Sequence, residues 1–240
     1  MKVISVAGTA SNAGKTTVAS YILRNLLDRT PCLVGEGVQA VDAGIGFGLS
    51  NHKRGWSALK ITVRHEGSCP RHTGCDTCDD GYEPFKILTD DDIIKEKGKD
   101  TDRFSSAGAD KVVWLQTDSN AEIAGTEAAL ACFNKDDAII VEGNSFLRIQ
   151  NADVSILVAS PSVKKIKRST KLILDRIDLI AINVHANHSH EQVEECIEQL
   201  RVIGCKAPCF VINPLVEDGY SNQTFINRIQ ERLGIYTIKN

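Results

Sequence analysis

Short apolar runs alternate with amphipathic segments along the 240-residue chain, the pattern of a parallel sheet wrapped by helices. Strands are predicted at 2–7, 58–64, 111–115, 138–142, 154–159, 177–183 and 208–212. The run Ala138-Ile139-Ile140-Val141-Glu142 and the run 154–159 are almost continuously apolar, as strands covered on both faces must be. Helices are predicted at 15–28, 101–108, 121–133, 190–203 and 222–233. In 190–203, Val193, Cys196, Ile197, Leu200 and Ile203 form one apolar stripe to lay against a sheet. Two stretches break the alternation and read as loop inserts. Residues 35–57 carry six glycines and little periodicity, and residues 65–84 are almost without apolar side chains. The expected fold is α/β: a doubly wound, mainly parallel sheet forming one domain over 1–240, with inserts at about 35–57 and 65–84.

The chemistry starts where the first strand stops. Val3-Ile4-Ser5-Val6-Ala7 runs into Gly8-Thr9-Ala10-Ser11-Asn12-Ala13-Gly14-Lys15-Thr16-Thr17, and a helical pattern follows (Val18, Ala19, Tyr21, Ile22, Leu26). A glycine turn between strand and helix points backbone N–H groups and a helix N-terminus at an anion. In such a phosphate loop Lys15 reaches the β/γ-phosphates and the Thr16 hydroxyl meets Mg²⁺. Five residues, rather than the usual four, separate Gly8 from Gly14. A second signal is Glu142 at the end of an apolar strand, before Gly143-Asn144-Ser145. Ligands in open α/β sheets bind at the carboxyl ends of strands, so Glu142 is expected beside the loop, holding Mg²⁺ or orienting water.

Composition narrows the partners. A net charge of −3 argues against nucleic acid or a membrane surface as the main partner, and no stretch is apolar enough to span a bilayer. The first apolar run is only a strand long, so no signal peptide is expected and the expected compartment is the cytoplasm. Of the eight cysteines, 32, 132, 196, 205 and 209 lie mostly in apolar patterns and read as core fillers. Cys69, Cys75 and Cys78 do not. A Cys-x5-Cys-x2-Cys cluster with His65 and His72 has soft-ligand character. Three thiolates with His72 or His65 would complete tetrahedral zinc, and the same three could hold an iron–sulfur cluster, alone or across a dimer. The basic run Lys164-Lys165-Ile166-Lys167-Arg168 reads as a solvated helix face, and His188 and His190 as helix-start caps.

The loop with its five-residue spacing resembles that of dethiobiotin synthetase and of the cobyrinic and cobyric acid amide synthases, and Val141-Glu142-Gly143 resembles their metal-binding acid segment. Gly98-Lys99-Asp100-Thr101-Asp102-Arg103, followed by Ala107-Gly108-Ala109, is similar to a segment of the molybdopterin-guanine dinucleotide biosynthesis protein B family that lies across the nucleotide site. The resemblance implies a P-loop NTPase hydrolysing ATP or GTP with Mg²⁺ and serving cofactor or metallocluster assembly. It implies Lys15, Thr16 and Glu142 as catalytic residues, Lys99 and Asp100 at the nucleotide, and Asp100 or Glu66 completing the metal shell. Lys60 stands where dethiobiotin synthetases continue into Lys-Pro, but Ile61-Thr62-Val63 follows it here, so that substrate does not carry over. At the strand end where a guanine-reading Asn-Lys-x-Asp motif would fall, the chain has Asn183-Val184-His185-Ala186; Asn183, Asn213 and Pro214, at the ends of apolar runs, are the candidate base contacts. Two functions are expected to compete: a homodimeric nucleotide switch delivering a metal or cluster to a client metalloenzyme or cofactor-pathway protein, and an ATP-dependent small-molecule ligase of the dethiobiotin synthetase type.

Overall fold

The apolar runs assemble into an eight-stranded sheet in order β3-β4-β2-β5-β1-β6-β7-β8. The computed structural model describes residues 1–27, 55–64, 83–135, 137–216 and 220–235. In chain order the elements are β1 (Lys2–Gly8), α1 (Lys15–Leu27), β2 (Trp56–Arg64), β3 (Phe85–Leu88), α2 (Asp91–Ile94), α3 (Asp100–Ser106), β4 (Val112–Asp118) and α4 (Glu122–Leu130). There follow β5 (Ala138–Glu142), α5 (Phe146–Ile149), β6 (Val154–Ala159), α6 (Arg168–Lys171), β7 (Leu179–Asn183), α7 (His190–Val202), β8 (Cys209–Ile212) and α8 (Tyr220–Leu233). Seven strands are parallel to their neighbours; only β3 at the edge runs antiparallel, on β4.

Alternation along the strands divides the core. Ile4, Val6, Ile140, Ile156, Val158 and Ala181 face α1, α3 and α8, where they meet Ile22, Phe104 and Phe225. Their neighbours Val3, Ala7, Ile139, Val141, Leu157 and Ile180 face α4, α5 and α7, packing with Ala129, Leu147 and Leu200. This is the doubly wound α/β arrangement the sequence pattern calls for. β1 sits centrally, with β2 to β5 on one side and β6 to β8 on the other. Its carboxyl end is therefore the switch point at which open α/β sheets place their ligands.

Several local expectations are corrected. β2 begins at Trp56, so the glycine-rich stretch ends earlier than expected. Helix α3 starts at Asp100, one residue before the expected 101, and Thr101 is buried within its first turn. The cap of α7 is Ser189, in a reciprocal capping box with Gln192, while the His188 ring contacts Ser162 Oγ at 2.6 Å. The basic run is not a helix face: 163–167 precede the four-residue α6. Cys196 and Cys205 are buried fillers as expected, whereas Cys132 and Cys209 are half-buried. Cys69, Cys75, Cys78, His72, His65, Glu66 and Cys32 lie outside the described residues.

Candidate functional site

The loop after β1 is held from both sides. Thr9 N donates to Val158 O (2.9 Å), extending the ladder with β6 by one rung. On the β5 side the Asn144 side chain takes over where the strand ends: its Oδ1 accepts from Gly8 N (2.8 Å) and its Nδ2 donates to Gly8 O (2.9 Å). Thr170 Oγ1, buried in α6, donates to the same carbonyl at 2.9 Å. At the far end Gly14 has φ +89°, and a Cβ there would lie 2.1 Å from Asn183 Nδ2. Only glycine meets both demands. α1 then opens at Lys15, with its first amides turned to the loop.

Thr16, Glu142 and Asp100 converge beneath the helix start. Thr16 Oγ1 donates to Glu142 Oε2 at 2.9 Å, and the Thr16 hydroxyl is close enough to Asp100 to favour its ionised form. The β2–β5 register sets Lys60 opposite Glu142, so the Lys60 ammonium sits between the two acids. It bonds Asp100 and lies 3.5 Å from Glu142. Burial pushes the Asp100 carboxyl up, but the hydrogen bond and charge of Lys60, with Thr16 and Arg103, hold it below its ordinary value. Glu142 is only 4% exposed, so its charge needs that lysine or another cation. Two carboxylates already gathering one cation, with the Thr16 hydroxyl bonded to one of them, fit Mg²⁺.

Lys15 has no acid within ion-pair distance among the described residues; its Nζ bonds Ala10 O at 3.3 Å. Burial lowers its pKa, Glu142 opposes this, and the charges of Lys60 and Lys167 lower it further. Arg103 reaches Thr17 Oγ1 at 2.8 Å and edges a cavity of about 190 Å³ with Ser20, Arg24, Ser106 and Leu215.

The residues named from sequence divide as follows. Gly8–Thr17, Glu142 and Asp100 are brought together. Asn183 joins them, its Nδ2 donating to Ala13 O at 3.2 Å. Lys99 does not: it is paired with Glu96 and lies over the Trp114 ring. Asn213 closes its own turn, accepting from Leu215 N at 3.2 Å, with Pro214 buried beside it. Sequence reasoning assigned no role to Lys60, Asn144, Thr170 or Lys167. The signals for the first two were present, in the strand residue opposite Glu142 and in the Asn that follows Glu142-Gly143.

No protein-family model matches the chain, and no curated protein matches it in sequence. Similarity appears in three dimensions. HypB from Helicobacter pylori, solved in complex with nickel, superposes with a TM-score of 0.51 at 13% identity, over 100% of this chain and 91% of that one. The fold is that of the P-loop NTPases. An LAO/AO transport system kinase gives a TM-score of 0.49 at 15% identity, over 98% of this chain and 60% of that one. McdA from Cyanothece, in its ATP complex, gives 0.46 at 12% identity, over 100% and 99%.

Proposed function

We propose that the chain binds and hydrolyses a nucleoside triphosphate, ATP in preference to GTP, with Mg²⁺, as a switch in cofactor or metallocluster assembly. The observation that carries the reading is the convergence of Thr16, Glu142, Asp100 and Lys60 at the head of α1, directly under the Gly8–Lys15 loop. The loop amides and Lys15 hold phosphate oxygens, and Thr16, Glu142 and Asp100 hold the metal. When bound, Mg²⁺ would supply positive charge against the negative charge that develops on phosphoryl transfer. Glu142 and Asp100 also hold the Lys60 ammonium in place beside the loop.

Preference for adenine is supported by Asn183. Its Nδ2 is occupied by Ala13 O, while its buried Oδ1 has no hydrogen-bond partner among the described residues. An unpartnered acceptor at the end of β7 suits the exocyclic amine of adenine better than the O6 of guanine. The assembly role rests on the resemblance to cofactor-pathway enzymes and on Cys69, Cys75, Cys78 and His72, which we assign to zinc or an iron–sulfur cluster.

Calorimetric titration with MgATP and MgGTP tests the core of the reading. Lys15→Ala removes a charge-assisted phosphate contact of about 1.5–3 kcal/mol and is expected to weaken triphosphate binding about ten-fold or more. Equal affinity in wild type and variant would overturn it.

A further inference from the structure

Three ammonium groups surround the phosphate loop, and they are not equivalent. Lys60 approaches from the β5 side and is balanced by Asp100 and Glu142. Lys15, on the loop, and Lys167, from the β6 side, touch only uncharged oxygens among the described residues: Ala10 O and Ser11 Oγ, the latter at 2.7 Å. Lys167 does not arrive there by chance of a long side chain. Its backbone N donates to Thr9 O at 2.8 Å, and three residues on, Thr170 Oγ1 donates to Gly8 O at 2.9 Å. The segment before α6 is thus stitched along the loop, and Lys167 is the residue of the basic run whose side chain meets it. Lys164 and Lys165 are exposed and make no such contact among the described residues.

We propose that Lys167 is a second phosphate-binding lysine, contacting the γ-phosphate of a bound triphosphate and so separating triphosphate from diphosphate. The inference rests on the nucleotide reading given above. The place along the phosphate chain follows from neighbours. Lys15 serves the β/γ end; its Nζ bonds Ala10 O, and the Lys167 Nζ bonds the next loop residue, Ser11, so the two ammonium groups lie over adjacent positions of the loop. Thr17, at the other end of the loop, is covered by Arg103 of α3, so Lys167 and Arg103 flank opposite ends of the anion track. Two lysines converging without an acid between them repel each other until an anion separates them. A terminal phosphate supplies that anion, and the Ser11 hydroxyl holds Lys167 near its working position meanwhile.

The test is calorimetric titration of Mg²⁺ complexes of ADP and of the non-hydrolysable analogue AMPPNP, with guanine counterparts alongside, into wild type, Lys167→Ala, Lys167→Arg and Lys164→Ala. Lys167→Ala is expected to weaken AMPPNP about ten-fold while ADP changes by less than about two-fold. Lys167→Arg should keep most of the preference, and Lys164→Ala should match wild type, which separates a placed contact from general charge attraction. Unchanged AMPPNP binding in Lys167→Ala overturns the proposal, as does equal loss of ADP and AMPPNP, which would make Lys167 a loop brace. Wild type that binds neither nucleotide overturns the underlying reading. Wild type that binds both, with Lys167→Ala retaining its preference, overturns the lysine alone.

Discussion

Glu142 illustrates how a buried charge is kept at a working site. It stands at the end of β5, paired in register with Lys60 of β2 and Val6 of β1, so the strand that buries it also supplies its counter-charge. Lys15 has no such partner, and that sets a pH signature. Burial lowers its pKa, Glu142 and Asp100 oppose the fall, and Lys60 and Lys167 deepen it. The sign follows directly. Below that pKa Lys15 is an ammonium and attracts phosphate; above it the lysine is neutral, and binding must recruit a proton. Triphosphate affinity is therefore expected to decline through the alkaline range, where the phosphates are already fully ionised, and to begin declining below the pH at which a solvated lysine titrates. Titration calorimetry across that range checks it, with Lys15→Ala as the reference that lacks the early decline. A decline that starts only at the ordinary lysine value would show that burial does not govern this group.

Elements position the loop more than the loop positions itself. Asn144 lies between β5 and α5 yet acts as an extra rung of the β5–β1 ladder, and Thr170 ties α6 to the same glycine. Asn144→Ala leaves Gly8 O its bond from Thr170 but strips Gly8 N of its acceptor. We expect a loss of about 2 kcal/mol, read as a fall of about 4–8 °C in Tm. MgATP affinity should fall with it, because the loop loses one of its two walls. Unchanged Tm and affinity would mean that water replaces the amide without loss. Elements with a clear period were legible in the sequence: α7 by its apolar stripe, β5 and β6 by their unbroken apolar runs. β3, α2, α5 and α6 were not: a four-residue helix is about one turn, too short to show a 3.6 period, and β3 lacks the unbroken apolar run that marks β8. Lys167 is exposed, as the basic run predicts, but it precedes α6 instead of lying on a helix face, and its bonds to the loop were not legible for a related reason. A basic run looks the same whether solvated or docked, and the bonds that dock it come from the backbone and from Thr170, not from the lysines that catch the eye.

At the scale of the whole molecule, topology determines which edge of the sheet receives the cysteine insert. Parallel pairing of β2, β5 and β1 puts the end of β2 on the same edge as the phosphate loop. Arg64, the last residue of β2, is in register with Asp118 of β4, and Phe85, the first of the antiparallel β3, pairs with the adjacent Thr117. Both ends of the stretch are fastened: Arg64 Nη2 donates to Glu83 O at 2.8 Å, and Asp118 N to Pro84 O at 2.9 Å. The chain therefore leaves and returns at the edge that carries the Gly8–Lys15 loop, a placement that strand order and direction give and that the sequence pattern did not. Cys69, Cys75 and Cys78 come from a segment too polar to order itself by burial, so metal coordination is the natural source of order. Protein purified without oxygen is expected to carry close to one zinc, or iron as a cluster, per chain or per pair of chains. A triple Cys→Ser variant should lose the metal and keep MgATP binding. Alkylation followed by peptide mass spectrometry supplies an internal scale, because burial pushes the Cys196 thiol up to about 11 and raises Cys205 and Cys209 as well, making all three slow. Metal-bound Cys69, Cys75 and Cys78 should be protected until a chelator is added, then react faster than Cys196. Metal-free protein in which those three thiols react at once would remove the metal-delivery role and favour the small-molecule ligase.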